Sequence, residues 1–300
     1  MNPFSGSIVP LITPFTKENA IDKEALHALV EWHIHEGSDA IICLGTTGEA
    51  PTLDREEKIL VVKACLEAGK KKIPIFVGTG TNNTKESVEF TKIAKELKAD
   101  GCMAIVPYYN KPTPRGCLEH FRALARVGLP LLLYHHPGRT GTRLPVTTLA
   151  QMHEETLILA VKELTLDLDY IKALRKISPL PILSGDEDFS LPIIKEGGVG
   201  AICVLANIFP KEWKEVVSLA LKGKLTESTL LANRYAKLIH TLSLETNPGP
   251  VKFFLSLMGK SLPYLRLPLV EPEEEIQGKL REVYGLFKPY FAGNLEIAKK

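Results

Sequence analysis

The sequence predicts an α/β fold, a closed (β/α)8 TIM barrel with a C-terminal helical extension. Three observations predict it. Short runs rich in Val, Ile and Leu recur eight times without the strict alternation of a half-exposed sheet, as strands buried on both faces do. Segments with a 3.6-residue period fill the gaps, which argues for parallel βαβ units. Polar residues collect at the C-terminal ends of the runs, the face on which such a barrel carries its site.

The runs in order are IVPLIT at 8–13, AIICLG at 40–45, PIFVG at 74–78 and CMAIVP at 102–107. They continue with PLLLYH at 130–135, ILAVKE at 158–163, ILSG at 182–185 (the weakest) and AICVLA at 201–206. Helical patterns lie between them, among others at 23–36, 55–68, 84–97 and 114–125. Eight strands favour closure over an open doubly wound sheet. After about residue 222 the strand pattern stops, and 225–244, 251–257 and 273–286 read as helices. The expected division is a catalytic barrel over 1–222 and a helical region over 223–300, with no repeat or flexible linker between them.

A chain of 300 residues, 45% hydrophobic and 24% charged, has an ordinary globular composition and fits a barrel of about 250 residues plus an extension. Its net charge of +2 offers no basic patch for nucleic acid. No apolar run approaches the roughly 18 residues of a membrane span, and the N-terminus lacks the charged and apolar regions of a signal peptide. The five cysteines show no CxxC spacing and several sit in apolar runs, so reduced thiols in the cytoplasm are expected.

Lys162 closes the run LILAV, although lysine is among the residues least often buried. A lysine amine attacks a carbonyl carbon only when neutral, and a desolvated pocket disfavours its cation. The plainer alternative is a lysine that reaches for water or pairs with Glu163. Tyr134 ends the preceding strand, so its phenol should stand beside Lys162 as an acid/base for imine chemistry. GTTGE at 45–49 permits a tight turn whose N–H groups, with the hydroxyls of Thr46 and Thr47, could cradle a small carboxylate, or it is simply a turn. VGTGTNN at 77–83 misses the dinucleotide fingerprint and reads as a strand-to-helix turn. Arg139 could clamp a substrate carboxylate or lie exposed. His33 and His35 stand at i and i+2 of a helix, His135 and His136 diverge on a strand, and no HxxxH occurs, so no metal is expected.

Taken in order, GSIVPLITPF, GTTGE, VGTGTNNT, PYYNKP, YHHPGRTG, VKE, LSGDE, GAICV and NPGPVK resemble the dihydrodipicolinate synthase/N-acetylneuraminate lyase family over residues 5–290. The resemblance implies a (β/α)8 barrel that needs no cofactor and works as a homotetramer of tight dimers. It implies that Lys162 forms a Schiff base with pyruvate and that Tyr134 is the proton donor and acceptor. Thr46 and Tyr109 would join Tyr134 in a proton relay, Tyr109 coming from a neighbouring subunit. Thr47 and the backbone at Ile202 would hold pyruvate, and Arg139 the carboxylate of L-aspartate-4-semialdehyde. Within the family, Thr46, Arg139 and NPGPVK favour that small acidic aldehyde, which leads to lysine through diaminopimelate, over the polyhydroxylated substrate of a lyase such as N-acetylneuraminate lyase. A barrel that has lost catalysis and senses a keto acid is a third reading, opposed by Lys162, Tyr134, Thr46, Thr47 and Tyr109 standing together.

Two stretches depart from the family pattern. His135-His136 follows the tyrosine in place of Asn and an apolar residue, and Leu164–Asp167 replaces a small, glycine-containing stretch. Asn82, Glu86 and Tyr108 match the family's lysine-binding pocket, but Arg55 and Lys58 stand where lysine-sensitive members often carry histidine. Two cations there would repel the ammonium groups of lysine, so weak or absent inhibition is expected.

Overall fold

The computed structural model describes residues 3–295. Its strands are β1 (Gly6–Pro10), β2 (Ala40–Cys43), β3 (Ile75–Gly78), β4 (Gly101–Ile105), β5 (Leu131–His135), β6 (Ala160–Glu163), β7 (Ile182–Ser184) and β8 (Gly200–Ile202). They pair in chain order, and β8 returns to β1 to close the barrel. Every pairing is parallel.

Helices return the chain between strands. Lys23–Glu36 and Pro114–Ala125 have the expected bounds. Side chains of Asp22, Asp54, Asn83, Thr113, Asp167 and Asp186 accept N–H bonds from the first turns they cap, which satisfies donors the helix itself cannot. Asp54 and Glu57 complete a reciprocal capping box.

Strand alternation sorts side chains into two layers. Ile8, Ile42, Phe76, Met103, Leu132 and Leu183 fill the lumen together with Tyr134. Leu131, Leu133, Val161 and Ile182 belong to the outer core under the helices. Both layers are buried, which is why the runs looked continuously oily.

Several expected extents change. The first strand, expected over 8–13, spans Gly6–Pro10, and the last helix, expected over 273–286, spans Glu274–Leu295. Two further regions are interrupted. The run at 201–206 ends as a strand at Ile202, and Val204–Asn207 forms a 3-10 helix. The Asn207 amide causes the departure: it donates to the carbonyls of Pro10 (2.9 Å) and Val204 (3.2 Å) and accepts from the N–H of Ile12 (3.2 Å). It thereby ties the end of β8 to the end of β1, while the apolar side chains of Leu205 and Ala206 stay buried. The helix expected over 225–244 divides into Leu225–Ala232, a 3-10 turn Asn233–Tyr235 and Ala236–Leu242.

Gly249–Leu257 and Glu274–Leu295 follow. The extension packs on the barrel through Phe209, whose ring meets Tyr235 (4.8 Å) and Phe287 (5.0 Å). All five cysteines are buried and unpaired. Among the described residues no helix is long and apolar enough to cross a membrane.

Candidate active site

The β5–β6 ladder sets Tyr134 opposite Lys162 and His135 opposite Glu163. The first pair points into the barrel and the second points outward. Lys162 is 7% exposed and Tyr134 5%, and the Lys162 amine lies 4.4 Å from the centre of the phenol ring. Among the described residues this amine makes no hydrogen bond and no ion pair. Glu163, the partner the plainer reading assigned it, is engaged elsewhere. Its Oε2 accepts from His135 Nδ1 (2.8 Å) and its Oε1 from the N–H of Thr165 (2.6 Å). The N–H of Leu144 donates to His135 Nε2 (3.0 Å), which leaves the imidazole proton on Nδ1.

Gly185 shapes the space around the amine. A Cβ there would lie 2.7 Å from Lys162 Cε and 1.8 Å from Leu164 Cδ1. Only glycine leaves room for the lysine stem.

The GTTGE turn is closed by N–H bonds from Gly48 and Ala50 to the Gly45 carbonyl and from Glu49 to that of Thr46. Among the described residues the N–H groups of Thr46 and Thr47 have no partner, as an anion cradle requires. Thr47 is buried, and its Oγ1 accepts from Asn247 Nδ2 (3.0 Å). Glu49 and Lys252 form a fully buried ion pair (2.7 Å) in which burial pulls the amine down to about 8 against the pull of the carboxylate. Glu49 Oε2 also accepts the N–H of Arg266 (3.1 Å).

Thr46, Tyr134 and Arg139 line one cavity of about 620 Å3, which runs outward past Tyr108, Arg55 and Lys58 to Asn82 and Glu86. Arg139 is exposed at its mouth. Ile202 ends β8, fully buried in the lumen. Tyr109 stands apart, 88% exposed with φ 69°, so a single chain does not bring it to Tyr134. Asp186 and Asn207, polar residues at strand ends, hold backbone: one caps the helix Glu187–Lys195 and the other ties β8 to β1.

The structure gives three further groups a setting that the sequence alone did not. Burial pushes the Glu187 carboxyl up to about 7, Asp186 adding to the rise while the N–H of Leu205 (2.8 Å) and the Lys162 amine oppose it. Burial, with the cations of Arg139 and Lys162, holds the His136 imidazole down at about 4, and its ring centre is 5.8 Å from that of Tyr134. The third is Asn247, noticed only as a letter of NPGPVK.

A buried, unpaired amine beside a phenol at the mouth of a (β/α)8 barrel is the equipment of a class I, Schiff-base lyase. The model of the dihydrodipicolinate synthetase family matches residues 3–284, and the chain belongs to that family. The 4-hydroxy-tetrahydrodipicolinate synthase of Thermodesulfovibrio yellowstonii is 41% identical over 283 residues, 93% of this chain and 97% of the relative. That of Geotalea uraniireducens is 42% identical, covering 94% and 99%. The crystal structure of dihydrodipicolinate synthase from Aquifex aeolicus superimposes with a TM-score of 0.92 at 40% identity, over 96% of this chain and 98% of that one. The chloride-inhibited enzyme from Acinetobacter baumannii, complexed with pyruvate, gives 0.90 at 40% identity over 93% and 97%.

Proposed function

We propose that the chain is a 4-hydroxy-tetrahydrodipicolinate synthase, condensing pyruvate with L-aspartate-4-semialdehyde. The observation that carries this reading is the free Lys162 amine 4.4 Å from the centre of the Tyr134 ring. The amine adds to C2 of pyruvate and water leaves, giving an iminium ion. Loss of a C3 proton gives the enamine, whose carbon attacks the aldehyde. The amino group of the aldehyde substrate then closes on the former C2, and Lys162 is released as the free amine. Imine formation and lysine release move protons at Nζ, enamine formation takes one from C3, and the carbon–carbon bond-forming step delivers one to the aldehyde oxygen. The Tyr134 phenol is the neighbouring acid/base. Thr46 passes protons to Tyr134, with Tyr109 supplied by a neighbouring subunit.

The Thr46 and Thr47 N–H groups and the Thr47 hydroxyl bind the pyruvate carboxylate, and the backbone at Ile202 closes the pocket. Arg139 at the cavity mouth takes the carboxylate of the second substrate, a bidentate match. That charge demand favours the semialdehyde over a sugar acid. The isolated exposure of Tyr109 supports assembly as a homotetramer of tight dimers. The five buried unpaired thiols suit the cytoplasm. Arg55 and Lys58, lining the same cavity, support weak or absent inhibition by lysine.

Borohydride reduction in the presence of pyruvate tests the reading. The expected result is a mass increase on the peptide carrying Lys162, absent in Lys162→Arg and slowed by about 100-fold or more in Tyr134→Phe. No adduct in the wild type would end the Schiff-base assignment. Turnover of aspartate semialdehyde against cleavage of N-acetylneuraminate decides the substrate.

A further inference from the structure

We propose that Asn247, in the C-terminal extension, is a positioning residue for pyruvate: its amide fixes the Thr47 hydroxyl so that the proton faces the substrate carboxylate. This inference rests on the functional reading above. The two residues are 200 positions apart, joined by a bond of 3.0 Å from Asn247 Nδ2 to Thr47 Oγ1. A threonine hydroxyl has one proton to give and two lone pairs, while a carboxylate only accepts. By occupying a lone pair, Asn247 leaves the proton for the ligand. Among the described residues the Thr47 hydroxyl donates to nothing.

The amide orientation decides the outcome. Turned over, its oxygen would capture the Thr47 proton and present lone pairs to the incoming anion. It would also bury two donors without partners, whereas the present orientation leaves one carbonyl oxygen, Asn247 Oδ1, buried and unpartnered. Unsatisfied carbonyls are tolerated better than unsatisfied N–H groups.

A second tie joins the same two segments just beyond the bond. Lys252, five residues beyond Asn247, pairs with Glu49, two residues beyond Thr47, at 2.7 Å. The N–H of Lys252 donates to the Pro248 carbonyl (3.0 Å) and that of Gly249 to the Thr246 carbonyl (3.1 Å). The extension therefore grips the GTTGE turn at two points and aims its second threonine.

The test is borohydride trapping on the full chain across pyruvate concentrations, read by mass spectrometry as the concentration giving half-maximal labelling. Asn247→Ala is expected to raise it about five- to tenfold, the range of one hydrogen bond. The isosteric Asn247→Asp is expected to raise it further, because a carboxylate takes the Thr47 proton and repels the ligand; it also serves if the alanine variant folds poorly. In a Thr47→Val background, Asn247→Ala is expected to add less than twofold, whereas a general loss of structure would cost the same in both backgrounds. The KM for the aldehyde substrate should stay within twofold. Half-maximal labelling within twofold of wild type in both Asn247 variants, or an undiminished effect in Thr47→Val, would overturn the inference while leaving the Schiff base intact. Absence of labelling in the wild type would remove both.

Discussion

Replacing Lys252 with methionine isolates one interaction. Lys252 Nζ is 2.7 Å from Glu49 Oε1, and neither side chain has accessible surface. Without the cation, Glu49 keeps among the described residues one side-chain contact, the N–H of Arg266 at 3.1 Å, so its carboxyl is left buried and nearly unsatisfied. Removing one partner of a buried pair costs about 3–5 kcal/mol. Loss of the cation from the face of Phe15, 4.1 Å from the ring centre, adds little because methionine keeps the ring contact. At roughly 2 °C per kcal/mol for a chain this long, Tm should fall by about 6–10 °C. Thermal and urea unfolding of Lys252→Met, Glu49→Gln and the double variant give the assay. With neither charge left, the double variant should recover at least half of the loss. A Lys252→Met variant within about 1 kcal/mol of wild type, below the buried-pair range, or a double variant that loses the sum of the two, would refute the reasoning.

Gly185→Ala places a Cβ 2.7 Å from Lys162 Cε and should cut the rate of borohydride-trapped adduct formation at least about tenfold, the effect a small misplacement has, with circular dichroism unchanged. His135→Ala strips Glu163 of its imidazole donor and should cost about 2–3 kcal/mol in urea unfolding, with His135→Asn, which keeps a donor, intermediate. Glu187→Gln tests the raised carboxyl. The folded-state value of about 7 lies above the unfolded one, so the protonated form is favoured on folding. That stability is complete below about pH 4.3 and is lost as pH rises toward 7. The glutamine variant should therefore gain about 1–2 kcal/mol on wild type across that window, a figure discounted because the side chain is only partly buried. Parallel pH–stability curves would exclude this.

The architecture was legible because composition and period act locally: eight oily runs and four well-delimited helices need no knowledge of contacts. The end of β8 was not, since a strand stops there through Asn207 bonding to Pro10, a neighbour close in space and remote in sequence. Lys162 and Tyr134 could be read from strand ends, because register in a parallel barrel follows chain order. Their inward direction follows from a two-residue alternation that uniform burial concealed. Thr47 was legible as part of a turn, but its partner 200 residues away was not. His135-His136 stood out as a departure, and the outward pairing of His135 with Glu163 explains half of it.

The bonds from Asn247 to Thr47 and from Lys252 to Glu49 reach across 200 and 203 positions of the chain. During synthesis all eight strands leave the ribosome before either donor does. A nascent barrel can thus close while the GTTGE turn still lacks both of its ties to the extension, and those ties form only when the tail arrives.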